Sequence, residues 1–266
     1  MLNVISLGAG VQSSVMALMA ARGELEPTVD ACIFADTGGE PESVYSFLSY
    51  LEEELPFPVY RVKHKEGLTK AIENSVETGS RIGNPPLYTN NNGEIGILSR
   101  VCTTEYKINP IKKKVREMFG LKRGQRVKEE MRCSQWIGIS LDEMTRMRVS
   151  KDKWMDFRYP LVEKKMRRGD CLEWMKKNGY PEPPRSACVY CPYHDDTAWR
   201  KIKMKDKEGW DEAIRIDRLI RGGISNSTSK LYLHQSGTPL EDVDFSNDID
   251  RGQLSFLDEC DGYCGV

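Results

Sequence analysis

Ser6-Leu7-Gly8-Ala9-Gly10-Val11-Gln12-Ser13-Ser14 is the stretch on which the reading of this chain turns. The apolar run Leu2 to Leu7 leading into it predicts a buried strand, and Val15, Leu18 and Met19 beyond it recur at helical spacing. The segment is therefore a strand, a small-residue turn and a helix. Gly8 and Gly10 let the backbone turn sharply and come close to a ligand. Ser13 and Ser14 fall where a helix presents N–H groups that have no intrahelical partner, and those donors together with the helix dipole favour a phosphate. The same turn would also suit an ordinary strand-to-helix junction capped by Ser13.

Two familiar nucleotide loops are excluded. No G-x-x-x-x-G-K-[ST] string occurs and no lysine follows the glycines, which argues against the kinase and GTPase type of triphosphate site. Position 13 is serine where the dinucleotide pattern G-x-G-x-x-G needs its third glycine, so a dehydrogenase is disfavoured.

A second apolar strand, Ala31-Cys32-Ile33-Phe34-Ala35, runs into Asp36-Thr37-Gly38-Gly39-Glu40. Pro41 and Glu42 then open a helix through Val44, Phe47, Leu48 and Leu51. Strands near 2–7, 31–35, 58–62 and 135–140 alternate with helices, a pattern that predicts an α/β fold: a parallel twisted sheet with helices on both faces. Its ligand crevice should lie at the carboxyl ends of the first two strands. We expect a nucleotide-binding domain over 1–180 and a smaller cysteine-containing C-terminal region over 181–266. Residues 79–98, rich in Gly and Asn with Pro85-Pro86, read as one long loop, either a substrate-side flap or disordered.

The 266 residues carry a net charge of only -1, yet Arg100 to Arg168 holds 20 Lys and Arg against 9 Asp and Glu. Such a window is either a solvated face or a field that gathers a polyanion, a nucleotide or nucleic acid. No long apolar span and no secretory leader stand out, so a cytoplasmic protein with no membrane association is expected. Eight cysteines without secretory features point to thiols or metal ligands.

Cys188 and Cys191 form a C-x-x-C pair with His194 three residues on, and Cys260 and Cys264 form a second close pair. Two such pairs could satisfy a zinc ion or an iron–sulfur cluster, with a redox or structural thiol pair as the plainer alternative. Cys32 and Cys171 read as buried small hydrophobes. His64 and His234 read as ordinary surface or loop residues, and Trp199, Trp210, Tyr232 and Tyr263 as packing aromatics. Residues 222–229 suggest a flexible connection and 241–250 a solvated acidic loop.

Gly8-Ala9-Gly10-Val11-Gln12-Ser13 resembles the S-G-G-x-D-S signature of the PP-loop ATP pyrophosphatases. Asp36-Thr37-Gly38-Gly39-Glu40 is similar to the D-T-G-x-E element of that superfamily's phosphoadenosine phosphosulfate (PAPS) reductase branch. Arg100-Val101-Cys102-Thr103-Thr104-Glu105-Tyr106-Lys107-Ile108-Asn109-Pro110 resembles its C-C-x-x-x-K-x-x-P element, and Gly138 to Arg146 its strand followed by an acidic and arginine loop. Gln12 departs from the loop's acid, Gly8 from its first serine and Thr103 from its second cysteine.

The resemblance implies an adenine nucleotide alpha hydrolase-like fold that places ATP phosphates on Gly8, Ala9, Gly10, Gln12, Ser13 and Ser14, with adenosine near Phe34 and Asp36. Thr37, Gly38 and Arg100 would complete the nucleotide contacts, with Mg²⁺ bridging phosphates and Lys107 and Arg146 serving the chemistry. It further implies a [4Fe–4S] cluster on Cys102, Cys188 and Cys191, with Cys260, Cys264 or Cys133 as fourth ligand, or else Zn²⁺. Cys264 stands in the expected metal set. Cys260, in a partial match to an E-C-G tail, is a candidate nucleophile. The implied activity is ATP-dependent adenylation of a nucleotide or nucleic-acid acceptor with pyrophosphate release, for sulfur insertion from a sulfur donor. Two alternatives are a reductase of an adenylyl sulfate served by a thioredoxin-like reductant, and a zinc-containing nucleic-acid-binding protein without catalysis. The oligomeric state is not legible.

Overall fold

The computed structural model describes residues 1–225, 227 and 229–246. In chain order its strands and helices are β1 (Leu2–Leu7), α1 (Val11–Ala21), β2 (Ala31–Asp36), α2 (Glu42–Glu54), β3 (Val59–Lys63), α3 (Leu68–Thr78), β4 (Tyr88–Asn91), β5 (Glu94–Ile97), α4 (Asn109–Met118), β6 (Cys133–Ile137), β7 (Met155–Arg158), α5 (Pro160–Glu163), α6 (Arg168–Lys177), α7 (Asp196–Lys205), α8 (Lys207–Ile220) and β8 (Leu231–Tyr232). They form two compact units that interleave along the chain. The first takes Met1–Asp36, Glu42–His64 and Tyr106–Ser186; the second takes Thr37–Pro41, Lys65–Glu105 and the described residues from Ala187 onward. What the sequence did not suggest is that two earlier segments also belong to the second unit.

The first unit is a five-stranded sheet in the order β3-β2-β1-β6-β7, parallel throughout. Alternate residues of each strand feed opposite faces, as the two-residue period of a strand requires. Ile5, Leu7, Cys32, Phe34 and Trp136 pack with Val15 and Leu18 of α1, Leu48 and Leu51 of α2, and Cys171 and Met175 of α6. Val4, Ile33, Ala35 and Cys133 enter the other face with Ile111 and Val115 of α4. Both faces are covered, which explains the near-continuous apolar runs of β1 and β2. Deleting one such side chain, Leu18 for example, should cost about 2–5 kcal/mol.

Strand order reverses direction at β1: β2 and β3 lie to one side of it, β6 and β7 to the other. The loops leaving β1 and β6 therefore start from adjacent strand ends, the place where parallel sheets put ligands.

The second unit contains α3, α7, α8 and a small antiparallel sheet in the order β5-β4-β8. Here the expectation of a single long loop over 79–98 fails, because β4 and β5 form a hairpin. Its turn residues Asn92 and Gly93 have φ of 56° and 96°, and an Asn-Gly pair at positive φ suits a tight two-residue hairpin turn. His234, read as a surface or loop residue, lies in the loop after β8 but is buried, with Nε2 3.0 Å from Asp196 Oδ1 and Nδ1 2.7 Å from Ser236 Oγ. Trp199, Trp210 and Phe245 stack edge to face, so the tryptophans are packing residues as expected.

The second unit depends on one buried carboxylate. Asp217 accepts the backbone N–H groups of Leu233 at 2.9 Å and Leu240 at 3.1 Å, and pairs with Arg221 at 3.0 Å. Asp217→Ala would strand two buried donors and leave Arg221 with Glu241 alone at 3.1 Å, so urea unfolding should show a loss of about 3 kcal/mol.

Candidate functional site: the first turn of α1 at the strand-order reversal

The Gly8 to Ser14 turn is built by hydrogen bonds of its own residues. Gly8 N–H donates to Ser13 Oγ at 3.1 Å, and that hydroxyl lies 3.3 Å from the Gly10 carbonyl. Ser14 N–H closes the first helical bond to Gly10 at 3.0 Å. Gly10, not Ser13, is the N-cap, and among the described residues no side chain caps the helix. The N–H groups of Val11, Gln12 and Ser13 thus precede the intrahelical ladder. Ala9 adopts φ 55°, a left-handed conformation that a glycine takes freely and that costs an alanine about 1 kcal/mol. Held strain of this kind is common where a loop must present its backbone to a ligand.

A second loop presses on this turn. A Cβ on Gly138, just past β6, would lie 2.7 Å from Ser13 N and 2.8 Å from Ser13 Cα. Only glycine allows that approach without displacing backbone. On another side Ser186 lies over the loop, its Cβ 3.2 Å from where a Gly10 Cβ would stand. Ser14 is fully buried and its Oγ has no hydrogen-bond partner among the described residues.

Around Gln12 a polar row is assembled from three segments. Its Nε2 donates to Glu143 Oε2 at 3.2 Å and to Ser140 Oγ at 3.4 Å, while its Oε1 accepts from Arg168 Nη1 at 3.4 Å. Glu143 Oε1 pairs in turn with Arg146 Nη1 at 2.5 Å. Arg146, expected from sequence, is therefore within this row; Arg168, which had counted only toward the basic excess, joins it. Gly138, Ser140 and Glu143 belong to the Gly138 to Arg146 element and Ser186 opens the segment of Cys188 and Cys191, but the sequence pattern assigns them no role. Gly138 carried the one usable signal, a glycine directly after an apolar strand.

Asp36 ends β2, accepts the Tyr45 hydroxyl at 2.8 Å and lies 3.7 Å from Lys63 Nζ. Phe34 is a core residue, edge to face with Tyr45 at 6.5 Å. Lys107 is half-buried in a π-helical turn, Thr104–Ile108, at the entrance to α4. Parts of the lysine run serve structure: Lys112 pairs with Asp152 at 2.5 Å and Lys114 lies 3.7 Å from the centre of the Tyr60 ring.

Thr37, Gly38, Arg100, Cys102, Cys188 and Cys191 all fall in the second unit. There Thr37 Oγ1 meets Cys188 Sγ at 3.1 Å, Val189 N–H donates to the Gly39 carbonyl at 2.8 Å, and Thr69 Oγ1 accepts or donates to Tyr190 OH at 2.8 Å while bonding the Gly38 carbonyl at 3.1 Å. The D-T-G-G-E loop is thus held by the C-x-x-C segment. Arg100 bonds Thr103 Oγ1 at 2.7 Å and lies 5.5 Å from the centre of the Tyr193 ring. Cys102 N–H donates to Asn84 at 3.1 Å.

The metal-centre expectation is overturned. Among the described residues, no group of three or more His, Cys, Asp or Glu is placed to hold a metal ion, so neither a [4Fe–4S] cluster, nor Zn²⁺, nor a protein-held Mg²⁺ finds a ligand set there. The iron–sulfur and metal-binding readings go with it. The reason is visible around the pair: Cys188 is turned to Thr37, and His194 Nε2 lies 2.9 Å from the Cys188 carbonyl with its ring against Trp199 at 4.8 Å. Cys260 and Cys264 lie outside the described residues. The six described cysteines form no disulfide with one another. Burial pushes the Cys133 and Cys171 thiols up to about 12 and raises Cys32 further still.

No protein-family model and no curated protein matches the chain. Among solved structures it is similar to a phosphoadenylyl-sulfate (PAPS) reductase from Candida auris in a phosphate complex, at 12% identity over 68% of this chain and 74% of that one, with a TM-score of 0.44. It is also similar to the U34-tRNA thiolase NcsA from Methanococcus maripaludis with its [4Fe-4S] cluster, at 13% identity over 82% of this chain and 72% of that one, with a TM-score of 0.38. At these identities and TM-scores both likenesses are distant. Among the described residues, no helix is long and apolar enough to cross a membrane.

Two outcomes check this geometry. Gly138→Ala should lower thermal stability and displace the first turn of α1, abolishing the nucleotide binding argued below; unchanged binding in a calorimetric titration would mean the loops do not touch. At pH 8 a thiol reagent should label Cys102, Cys188 and Cys191 well before Cys32, Cys133 and Cys171, which become reactive only on unfolding. Because their folded values are raised, the buried thiols contribute stability that is complete below the ordinary thiol value of 9.0 and is lost as pH rises toward about 12.

Proposed function

We propose that this protein binds ATP on the first turn of α1 and transfers its adenylyl group to an oxygen of a nucleotide or nucleic-acid acceptor. The observation that carries the reading is the start of α1 at the strand-order reversal, pressed into place by Gly138 and flanked by the Gln12, Glu143, Arg146 and Arg168 row. Helix N–H donors, a helix dipole and two guanidinium groups suit a triphosphate. The fold likeness is compatible with this and does not carry it.

In the proposed reaction the acceptor oxygen attacks the α-phosphorus, the bond from that phosphorus to the bridging oxygen breaks, and pyrophosphate leaves. Donors fixed in advance stabilise charge on the leaving phosphates without reorganising, and the cradle lowers the entropy of bringing the groups together. Lys107 and Arg146 are the side chains proposed for charge stabilisation, with adenosine toward Asp36. The adenylated oxygen is then a good leaving group for a sulfur nucleophile, whose attack releases AMP. The motif resemblance favours that sulfur step. Acceptor binding would draw on the exposed Lys122, Arg123, Arg126 and Lys128 after α4.

ATP–pyrophosphate exchange tests the reading. Labelled pyrophosphate should enter ATP in the presence of a nucleotide or RNA or DNA acceptor, and Gly138→Ala should reduce the rate at least about tenfold, the scale on which a displaced cradle acts. Absence of ATP binding and exchange, with tight binding of an adenylyl sulfate, would overturn it in favour of the reductase.

A further inference from the structure

We infer that Arg168 is the residue that grips the terminal phosphates, and that Gln12 is the positioning residue that holds it there. The inference rests on the ATP-binding reading above and names how that site meets phosphate charge.

Gln12 sits in the second position of α1, one residue before the Ser13 amide that Gly138 presses on. Its amide faces two charged groups of opposite sign: Nε2 reaches Glu143 at 3.2 Å and Oε1 reaches Arg168 at 3.4 Å. A glutamine can donate to one and accept from the other at the same time. A carboxylate at this position could only accept, and would bring a second negative charge within about 3 Å of Glu143, an arrangement that forces one acid to protonate or move. The departure from an acid therefore has a local cause. Glutamine is the side chain that lets Glu143 and Arg168 share one edge of the phosphate loop.

The two arginines of the row are not equivalent. Arg146 is drawn to Glu143 at 2.5 Å, a close ion pair. Among the described residues the Arg168 guanidinium hydrogen-bonds the neutral Gln12 side-chain carbonyl alone, and at a distance long enough to be exchanged for a stronger acceptor. Its backbone is fixed independently, because Arg168 N–H donates to Asp142 Oδ1 at 3.1 Å at the start of α6 and Leu141 N–H donates to the Met166 carbonyl at 2.7 Å. The root of the side chain is anchored while its guanidinium is held lightly beside the helix start. A planar fork in that state is suited to a phosphate, where two parallel N–H bonds can form.

Titrations with ATP, inorganic pyrophosphate and AMP separate the possibilities. Arg168→Ala should weaken ATP and pyrophosphate at least about tenfold and leave AMP unchanged, since AMP lacks the phosphates being gripped; Arg168→Lys should recover part of the loss. Gln12→Leu should reproduce the selective loss more mildly, and the double variant should be no weaker than Arg168→Ala, because the two act as one unit. Equal weakening of AMP, additive losses, or ATP affinity unchanged in Arg168→Ala would each overturn the inference while wild-type ATP binding stands. If wild-type protein binds neither ATP nor pyrophosphate, both this inference and the ATP-binding reading fail. Should Arg168→Ala fail to fold, Arg168→Lys and Gln12→Leu decide the matter by the same three titrations.

Discussion

The approach of Gly138 to the backbone of Ser13 is the contact on which the first unit's organisation rests. A Cβ at 138 would fall 2.7 Å from Ser13 N, so the loop after β6 and the start of α1 can coexist only because that carbon is missing. The contact follows from topology. β1 and β6 are neighbours in a parallel sheet whose strand order reverses there, and their loops must share the space above adjacent strand ends. Glycine resolves the crowding, and the helix start is held with its leading N–H groups at that end of the sheet.

From that contact the polar row follows. Because β6 delivers Ser140 and the Leu141–Arg146 turn beside α1, Glu143 comes within 3.2 Å of Gln12, and α6 brings Arg168 to the other side of the same amide. Signs of charge then alternate along the row, with an uncharged amide joining them. The resembled loop carries an acid at this place, and here an acid would stand against Glu143. What first reads as a gap in a motif becomes, in the fold, a requirement set by the neighbours.

Much of this was legible. β1, β2 and the helix opening at Glu42 announce themselves through apolar runs, spacing and Pro41, and the crossing of two cores by alternate strand residues follows from the period of two. β7 was not legible, because Met155–Arg158 offers only four residues with two charges among them. The β4–β5 hairpin was announced by Asn92-Gly93 and hidden by the surrounding prolines and asparagines. The cysteines show the limit of spacing most clearly. A C-x-x-C pair says that two thiols are near each other in sequence, not that they face a third ligand, and Cys188 faces Thr37 across a loop contact that no linear pattern records. Arg168 was equally hidden, since only folding brings α6 to Gln12.

Amide hydrogen exchange of the α1 start with and without ATP tests the central claim most directly. If the phosphates sit on the helix start, saturating ATP should slow exchange at Val11, Gln12 and Ser13 by about tenfold or more, while β4 and β5 in the second unit stay unchanged. Measurable ATP binding with no protection at these three amides would contradict the account, because the nucleotide would then have to bind elsewhere.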